Sequence, residues 1–335
     1  MTSAAKKPLV LTLGDPAGCG PSITAKAWQA LQDQPDMAFC LIGSEDIAAA
    51  HGPTKQVTRL DEVSAAFGSG LPVLDIGPSA KQPTAGEPDT IFAPLILNSI
   101  EEAVSLVRNG TAGGVVTNPI NKALLYNAGF AHPGHTEFLA RLCTEDGQQP
   151  PRPVMMLVGG GLRVALATIH LPLAEAAKSL SIDLLTDIAR ITHKALQQDF
   201  GLNKPRIAFS GLNPHAGEEG AIGRDEIDVI NPAARILRHE GIDISDARSA
   251  DTLFAETLGG AFDAVIAMTH DQALIPVKTL DFWGGVNVTL GLPVIRTSPD
   301  HGTAYEAAAA GTCRADSLIA AIRLAAENAN RRANG

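Results

Sequence analysis

A chain of 335 residues with an apolar share of 45% can bury one large or two medium cores without staples, which sets aside disordered and disulfide-scaffold classes. Its 36 acidic and 26 basic residues leave a net charge of -10, and no Lys/Arg block or aromatic-basic stripe offers a phosphate-backbone track, so no nucleic-acid partner is expected. Cys19, Cys40, Cys143 and Cys313 are widely spaced and suit a reducing cytoplasm, while Gly14-Asp15 cuts the first apolar run far short of an export or membrane segment.

Short β-branched runs, each followed by turn residues and a helical pattern, predict βαβ units and an α/β fold with a largely parallel sheet. Leu9 to Leu13 reads as the first strand and Gly14 to Gly20 as its loop. Pro21 then opens a helix carrying Ile23, Ala27 and Leu31. The stretches 51–88 and 144–153, rich in Pro, Gly, Ser, Gln or charge, are expected as surface connections. Between them, Ile96, Ile100, Ala103, Val104 and Val107 mark a helix ending near Gly110, ahead of a short strand over Gly114 to Thr117. Two later helices span about 182–200, with Leu185, Ile188 and Leu196 inward, and about 226–240, with Ile230, Ala234 and Leu237 inward; Gly201 and Gly241 stop them. There is no internal repeat or heptad run.

Three histidines follow three predicted strands: His170 after Leu162 to Thr168, His215 after Arg206 to Ser210, and His270 after Ala264 to Met268. The crevice beyond strand carboxyl ends is where open α/β sheets bind ligands, and three imidazoles with open positions suit a catalytic divalent ion, zinc above all. Each histidine alone reads equally as a loop residue bonded to backbone. Gly14-Asp-Pro-Ala-Gly-Cys-Gly20 reads either as a phosphate-cradling turn or as a tight strand-to-helix turn. Pro133-Gly-His135-Thr136-Glu137 puts a histidine and a hydroxyl at a helix opening, to meet an anion or simply to let Thr136 cap the helix. Lys278, Asn287 and Arg296 precede the Asp300-His-Gly-Thr303 turn and together can grip a phosphate and a carboxylate, although each alone reads as a solvated polar residue.

Several longer motifs occur in order: Gly14-Asp-Pro-Ala-Gly18, Thr117-Asn-Pro-Ile-Asn-Lys122, Pro133-Gly-His-Thr-Glu-Phe138, Asn213-Pro-His-Ala-Gly-Glu218, Ala250-Asp-Thr-Leu-Phe254, His270-Asp-Gln272, Gly285-Val-Asn-Val-Thr-Leu-Gly-Leu-Pro293 and Arg296-Thr-Ser-Pro-Asp-His-Gly302. In these the chain resembles the 4-hydroxythreonine-4-phosphate dehydrogenase (PdxA) family from about Leu9 to Ala326. The resemblance implies a homodimer with the fold of isocitrate and isopropylmalate dehydrogenases, its active-site cleft between two lobes. One lobe would comprise about 8–125 plus 290–330 and the other about 126–289, with 1–7 and 331–335 as flexible termini. It implies a divalent ion (zinc, or magnesium, cobalt or manganese) on His170, His215 and His270, the last from the neighbouring subunit. Substrate contacts fall on His135, Thr136, Lys278, Asn287 and Arg296, with Asp251 and Asp271 as further polar site residues. The loop Asp300, His301, Gly302, Thr303 and Ala304 is similar to a cofactor-side loop and is expected to meet NAD, or NADP.

The implied reaction is oxidation of 4-(phosphooxy)-L-threonine at C3, followed by loss of carbon dioxide, in vitamin B6 synthesis. Asp251, Asp271 and Lys122 all stand open as proton acceptor. Three departures from the family pattern are Ser22, the missing Arg before Gly285 in Phe282-Trp-Gly284-Gly285, and Glu306-Ala-Ala-Ala-Ala-Gly311. Sister enzymes acting on threonate or erythronate 4-phosphate are the alternative within the fold. A dihydrodiol dehydrogenase is disfavoured by the intact His135-Thr136 and Asn287-Val-Thr-Leu-Gly291. A non-catalytic metal-binding protein on the same fold is disfavoured by the complete His and Lys-Asn-Arg sets.

Overall fold

The computed structural model describes residues 6–132, 134–145 and 147–334, so Pro133 of the expected His135 turn and the outermost residues of both termini lie outside the described residues. Strands run Leu9–Thr12 (β1), Phe39–Gly43 (β2), Thr54–Val57 (β3), Leu71–Asp75 (β4), Val115–Val116 (β5), Val154–Gly159 (β6), Leu162–Leu166 (β7), Ile207–Phe209 (β8), Ala264–Ala267 (β9), Val286–Leu290 (β10) and Arg296–Pro299 (β11). They divide between two compact units: the chain up to Pro153 with Leu292–Asn334, and Val154–Gly291. The second unit thus begins well after residue 126. The reason is packing: the helix His135–Leu142 lies on the helix Ala93–Arg108, whose Arg108 donates to the Leu142 carbonyl at 2.7 Å.

In the first unit the strand order is β3-β4-β2-β1-β5-β11, and the described pairs are all parallel. Parallel strands covered on both faces read as continuous apolar runs, as in β1 and β2, which are buried throughout. The stretch 51–88, expected as surface connection, supplies β3 and β4. Leu71, Pro72 and Val73 are buried, and a run so short shows no periodicity to read. The helix Ala93–Arg108 is apolar enough to resemble a membrane span, but it buries Ile96, Ile100, Ala103 and Val104 and packs against β1 and β2 as a core helix. Arg331 to Asn334 were expected in a flexible tail. They continue the helix Asp316–Asn334.

In the second unit the order is β10-β6-β7-β9-β8. Here the sheet is mixed, because β10, β6 and β7 pair antiparallel while β7, β9 and β8 pair parallel. Gly160 and Gly161, at φ +57 and +85, close the β6–β7 hairpin with the two positive-φ residues that a tight primed turn needs. Leu157, Leu162, Val164, Leu166, Val265 and Val277 form its core. The helix Ile182–Gln198 is capped by Ser181, which accepts from the Leu184 N–H, and ends before Gly201 at φ +69. The expected 226–240 helix is a π-turn, Glu226–Ile230, followed by an α-helix, Asn231–His239. Pro232 has no N–H for an i→i−4 bond, and the ladder widens so that the Asn231 N–H reaches the Glu226 carbonyl.

Candidate functional site

The three histidines leave the carboxyl ends of three neighbouring parallel strands, His170 after β7, His270 after β9 and His215 after β8. Thr168 donates to the Met268 carbonyl at 2.7 Å, tying the first two strand exits together. Within the chain the His170 and His270 rings lie 5.8 Å apart between centroids. The resemblance assigns His270 to a neighbouring subunit's site, whereas this spacing makes it a close companion of His170 in its own chain. Asp271 Oδ1 is 2.8 Å from His270 Nδ1. A carboxylate accepts, so Nδ1 is the donor in this contact, and in the neutral ring that leaves Nε2 as the nitrogen able to meet a metal ion. Asp251 is placed beside His215; the Ser249 hydroxyl at 2.5 Å and the nearby imidazole hold its carboxyl below the usual range. Among the described residues no three His, Cys, Asp or Glu side chains of this chain gather closely enough to hold a metal ion. The donor chemistry fits an open catalytic ion, with two imidazoles paired and the third on a separate loop.

Two supporting residues escaped the sequence reading. Gln272 Oε1 accepts from the Thr269 and Met268 N–H groups, and its amide donates to the Gly211 carbonyl at 2.8 Å, linking the His270 helix to the strand exit that leads to His215. The signal was the Thr269-x-x-Gln272 capping box. Glu226 is a buried carboxylate whose Oε1 accepts from the Leu212 and Asn213 N–H groups, both at 2.8 Å. Nothing local in the sequence announces it. Also in this unit, Lys278 Nζ stands 5.7 Å from the Phe282 ring centroid, and the Asn287 Oδ1 on β10 is buried without a hydrogen-bond partner. Gly284, at one departure from the family pattern, packs under Asp281: its N–H donates to Asp281 Oδ1 at 2.7 Å, and a Cβ there would require the Asp281 carboxylate to shift.

The first unit brings a buried guanidinium, a buried imidazole and the exposed Lys122 near one another. Arg296, at the start of β11, donates through Nε and Nη2 to Thr117 Oγ1 at 3.1 and 2.7 Å, and burial pushes its guanidinium down to about 10. His135 is buried, with Nε2 lacking a hydrogen-bond partner; burial foremost, then Arg296 and Lys122, hold its pKa well below the ordinary histidine value. Gly134 occupies the N-cap of the His135 helix, so Thr136, half-buried in the first turn, is free of the capping role considered for it. An imidazole nitrogen, a guanidinium and an ammonium near a helix N-terminus have the chemistry to attract an anion.

The Gly14 to Gly20 loop is built as a tight strand-to-helix turn, with four of its N–H groups turned inward to the protein. The N–H groups of Asp15, Ala17, Gly18 and Cys19 go to the Pro119 carbonyl, Asp15 Oδ1, the Asp15 carbonyl and the Thr303 carbonyl. Its glycines serve close approach: a Cβ on Gly14 would lie 2.6 Å from that of Asn118, and one on Gly18 would lie 2.8 Å from the Thr303 carbonyl oxygen. The partner loop 300–304 is thereby fixed. Tyr305 donates to Asp15 Oδ2 at 2.5 Å and accepts from Asn121 at 3.0 Å; burial and Asp15 push the phenol up to about 12. Ala304 takes a left-handed φ of 48. Ser22 is half-buried, and nothing in the structure explains its departure.

The family model described as pyridoxal phosphate biosynthetic protein PdxA matches residues 30–325. A 4-hydroxythreonine-4-phosphate dehydrogenase of Caulobacter vibrioides is 50% identical over 331 residues, spanning 97% of this chain and 98% of its own. The solved structure of a Klebsiella pneumoniae 4-hydroxythreonine-4-phosphate dehydrogenase superposes with a TM-score of 0.86 at 34% identity, over 97% of this chain and 100% of that one. A terephthalate 1,2-cis-dihydrodiol dehydrogenase of Burkholderia xenovorans is more distant, with a TM-score of 0.66 at 28% identity over 96% and 98% of the two chains. Matches of this length and identity assign the chain to the PdxA family of pyridoxal phosphate biosynthetic proteins.

Proposed function

We propose that this chain oxidises 4-(phosphooxy)-L-threonine at C3 with NAD to 2-amino-3-oxo-4-(phosphooxy)butanoate, which loses carbon dioxide to give 3-amino-2-oxopropyl phosphate, a step of pyridoxal 5'-phosphate synthesis. The observation that carries this reading, alongside the family assignment, is the burial of Arg296 next to His135 with its unpartnered Nε2. A buried imidazole nitrogen left without a partner is costly, and the proposed substrate brings a phosphate and a carboxylate whose oxygens can meet it. His135, Thr136, Lys278, Asn287 and Arg296 are the proposed grip, and by fixing the substrate's orientation they supply much of the rate.

A divalent ion, zinc ahead of magnesium, cobalt or manganese, is proposed on His170, His215 and His270, where it supplies Lewis-acid stabilisation of negative charge on the substrate's C3 oxygen. NAD, or NADP, supplies the hydride acceptor, with Asp300, His301, Gly302, Thr303 and Ala304 as the loop proposed to face it. Asp271 orients His270. Of the three candidate acceptors Lys122 belongs with the anion cluster and Asp271 is engaged by His270, so Asp251, beside His215, is proposed to take the hydroxyl proton. The ligand set is proposed to be completed between the subunits of a homodimer, since one chain by itself pairs only His170 with His270. Four free, buried cysteines support a reducing cytoplasm as the working compartment.

The test follows NADH formation with and without a chelator. 4-(Phosphooxy)-L-threonine is expected to give NADH faster than threonate or erythronate 4-phosphate, and the chelator to abolish turnover until zinc or magnesium is restored. No NADH from any phosphorylated hydroxy acid, with metal supplied, would sink the proposal.

A further inference from the structure

The segment that presents His215 is held in an unfavourable backbone form. His215, Ala216, Gly217, Glu218 and Glu219 all take positive φ, at 51, 51, 80, 41 and 56. Four are not glycine, and each such residue ordinarily costs about 1–2 kcal/mol in a left-handed turn. Such a turn persists only where its surroundings over-determine it. The group that does so is Glu226. Its side chain is buried, Oε1 accepts from the Leu212 and Asn213 N–H groups at 2.8 Å each, and Oε2 accepts from Asn213 Nδ2 at 3.0 Å. The same Asn213 amide donates to Asp225 Oδ2 at 2.8 Å. Gly217 lies over the carboxylate so closely that a Cβ there would stand 2.7 Å from Oε2.

These partners are the root of the turn, Leu212 and Asn213, immediately ahead of Pro214 and His215. The π-turn Glu226–Ile230, closed by the Asn231 N–H on the Glu226 carbonyl, sets the carboxylate at that root. Hydrogen bonds from three N–H groups are what a carboxylate can accept and a neutral amide cannot fully copy. We propose that Glu226 is a positioning residue that preorganises His215 for metal binding by pinning this left-handed turn. The inference rests on the reading of His215 as a ligand.

Cobalt(II) affinity, measured by competition with a chromophoric chelator and by the cobalt absorption band, tests it. In E226Q an amide N–H must face either the two backbone donors or the Asn213 amide. Affinity is expected to fall roughly 10- to 100-fold, the usual size for loss of a residue that orients a ligand. Leu237→Ala, on the helix Asn231–His239, is the control: it should lower the melting temperature and leave cobalt affinity unchanged. If E226Q does not fold, Asn213→Ser, which removes only the Oε2 contact and the Asp225 bond, should still lose roughly threefold or more. Wild-type cobalt affinity in the folded E226Q or Asn213→Ser protein, with affinity lost in His215→Ala, would overturn the positioning role. Wild-type affinity in His215→Ala would instead overturn the ligand reading on which it rests.

Discussion

Arg296 and His135 are 5% and 9% exposed, and both keep polar atoms where an apolar core would exclude them. Replacing Arg296 with Ala is expected to raise KM for the phosphorylated substrate roughly 10- to 100-fold, the loss of one charge-assisted contact, with KM for NAD little changed. A selective loss of NAD binding would reassign the residue. For His135 the prediction concerns pH. Burial, Arg296 and Lys122 hold the native imidazole neutral, whereas in the unfolded chain it titrates near the ordinary value of about 6.5. Below that pH the unfolded state binds a proton that the native state refuses, so stability is complete above about 6.5 and falls as pH drops, by up to about 1.4 kcal/mol per unit. Urea unfolding of wild type and His135→Gln between neutral and mildly acid pH should show a flatter slope for the variant; equal slopes would mean that native His135 takes up the proton.

At the scale of elements, loops secure one another. The 14–20 loop spends its N–H groups on its own carboxylate and on the 119 and 303 carbonyls, and Tyr305 adds a short bond to the buried Asp15. Tyr305→Phe leaves that carboxylate with less help, at a cost of about 1–3 kcal/mol, and should loosen residues 300–304. A lower melting temperature together with a raised KM for NAD is the expected pair of results; a lower melting temperature alone would separate the loop from cofactor binding. The two elements least legible in sequence, β4 and the π-turn at Glu226, share a cause. Both depend on what packs around them, β4 on its neighbours β2 and β3, and the π-turn on Pro232 and on the N–H groups of Leu212 and Asn213.

For the whole molecule, subunit mixing tests the proposed sharing of the three histidines between two chains. Mixing His215→Ala with His270→Ala subunits is expected to restore about a quarter of wild-type activity, because half of the random dimers then contain one complete site of two. No recovery would place all three ligands in a single chain. The α/β class, the longer helices with their inward stripes and the strand-end placement of His170, His215 and His270 were all readable from the residues, since apolar periodicity and strand-loop order are properties of the local chain. Only tertiary structure showed that β7, β9 and β8 are neighbours, that the N–H groups of Asp15, Ala17, Gly18 and Cys19 are already taken, that His135 and Arg296 are buried, and that Glu226 accepts from the Leu212 and Asn213 N–H groups ahead of His215. The physical reason is common to all four: burial and hydrogen-bond satisfaction depend on partners as far as 290 residues away, as between Asp15 and Tyr305, and no local pattern records which partner will arrive.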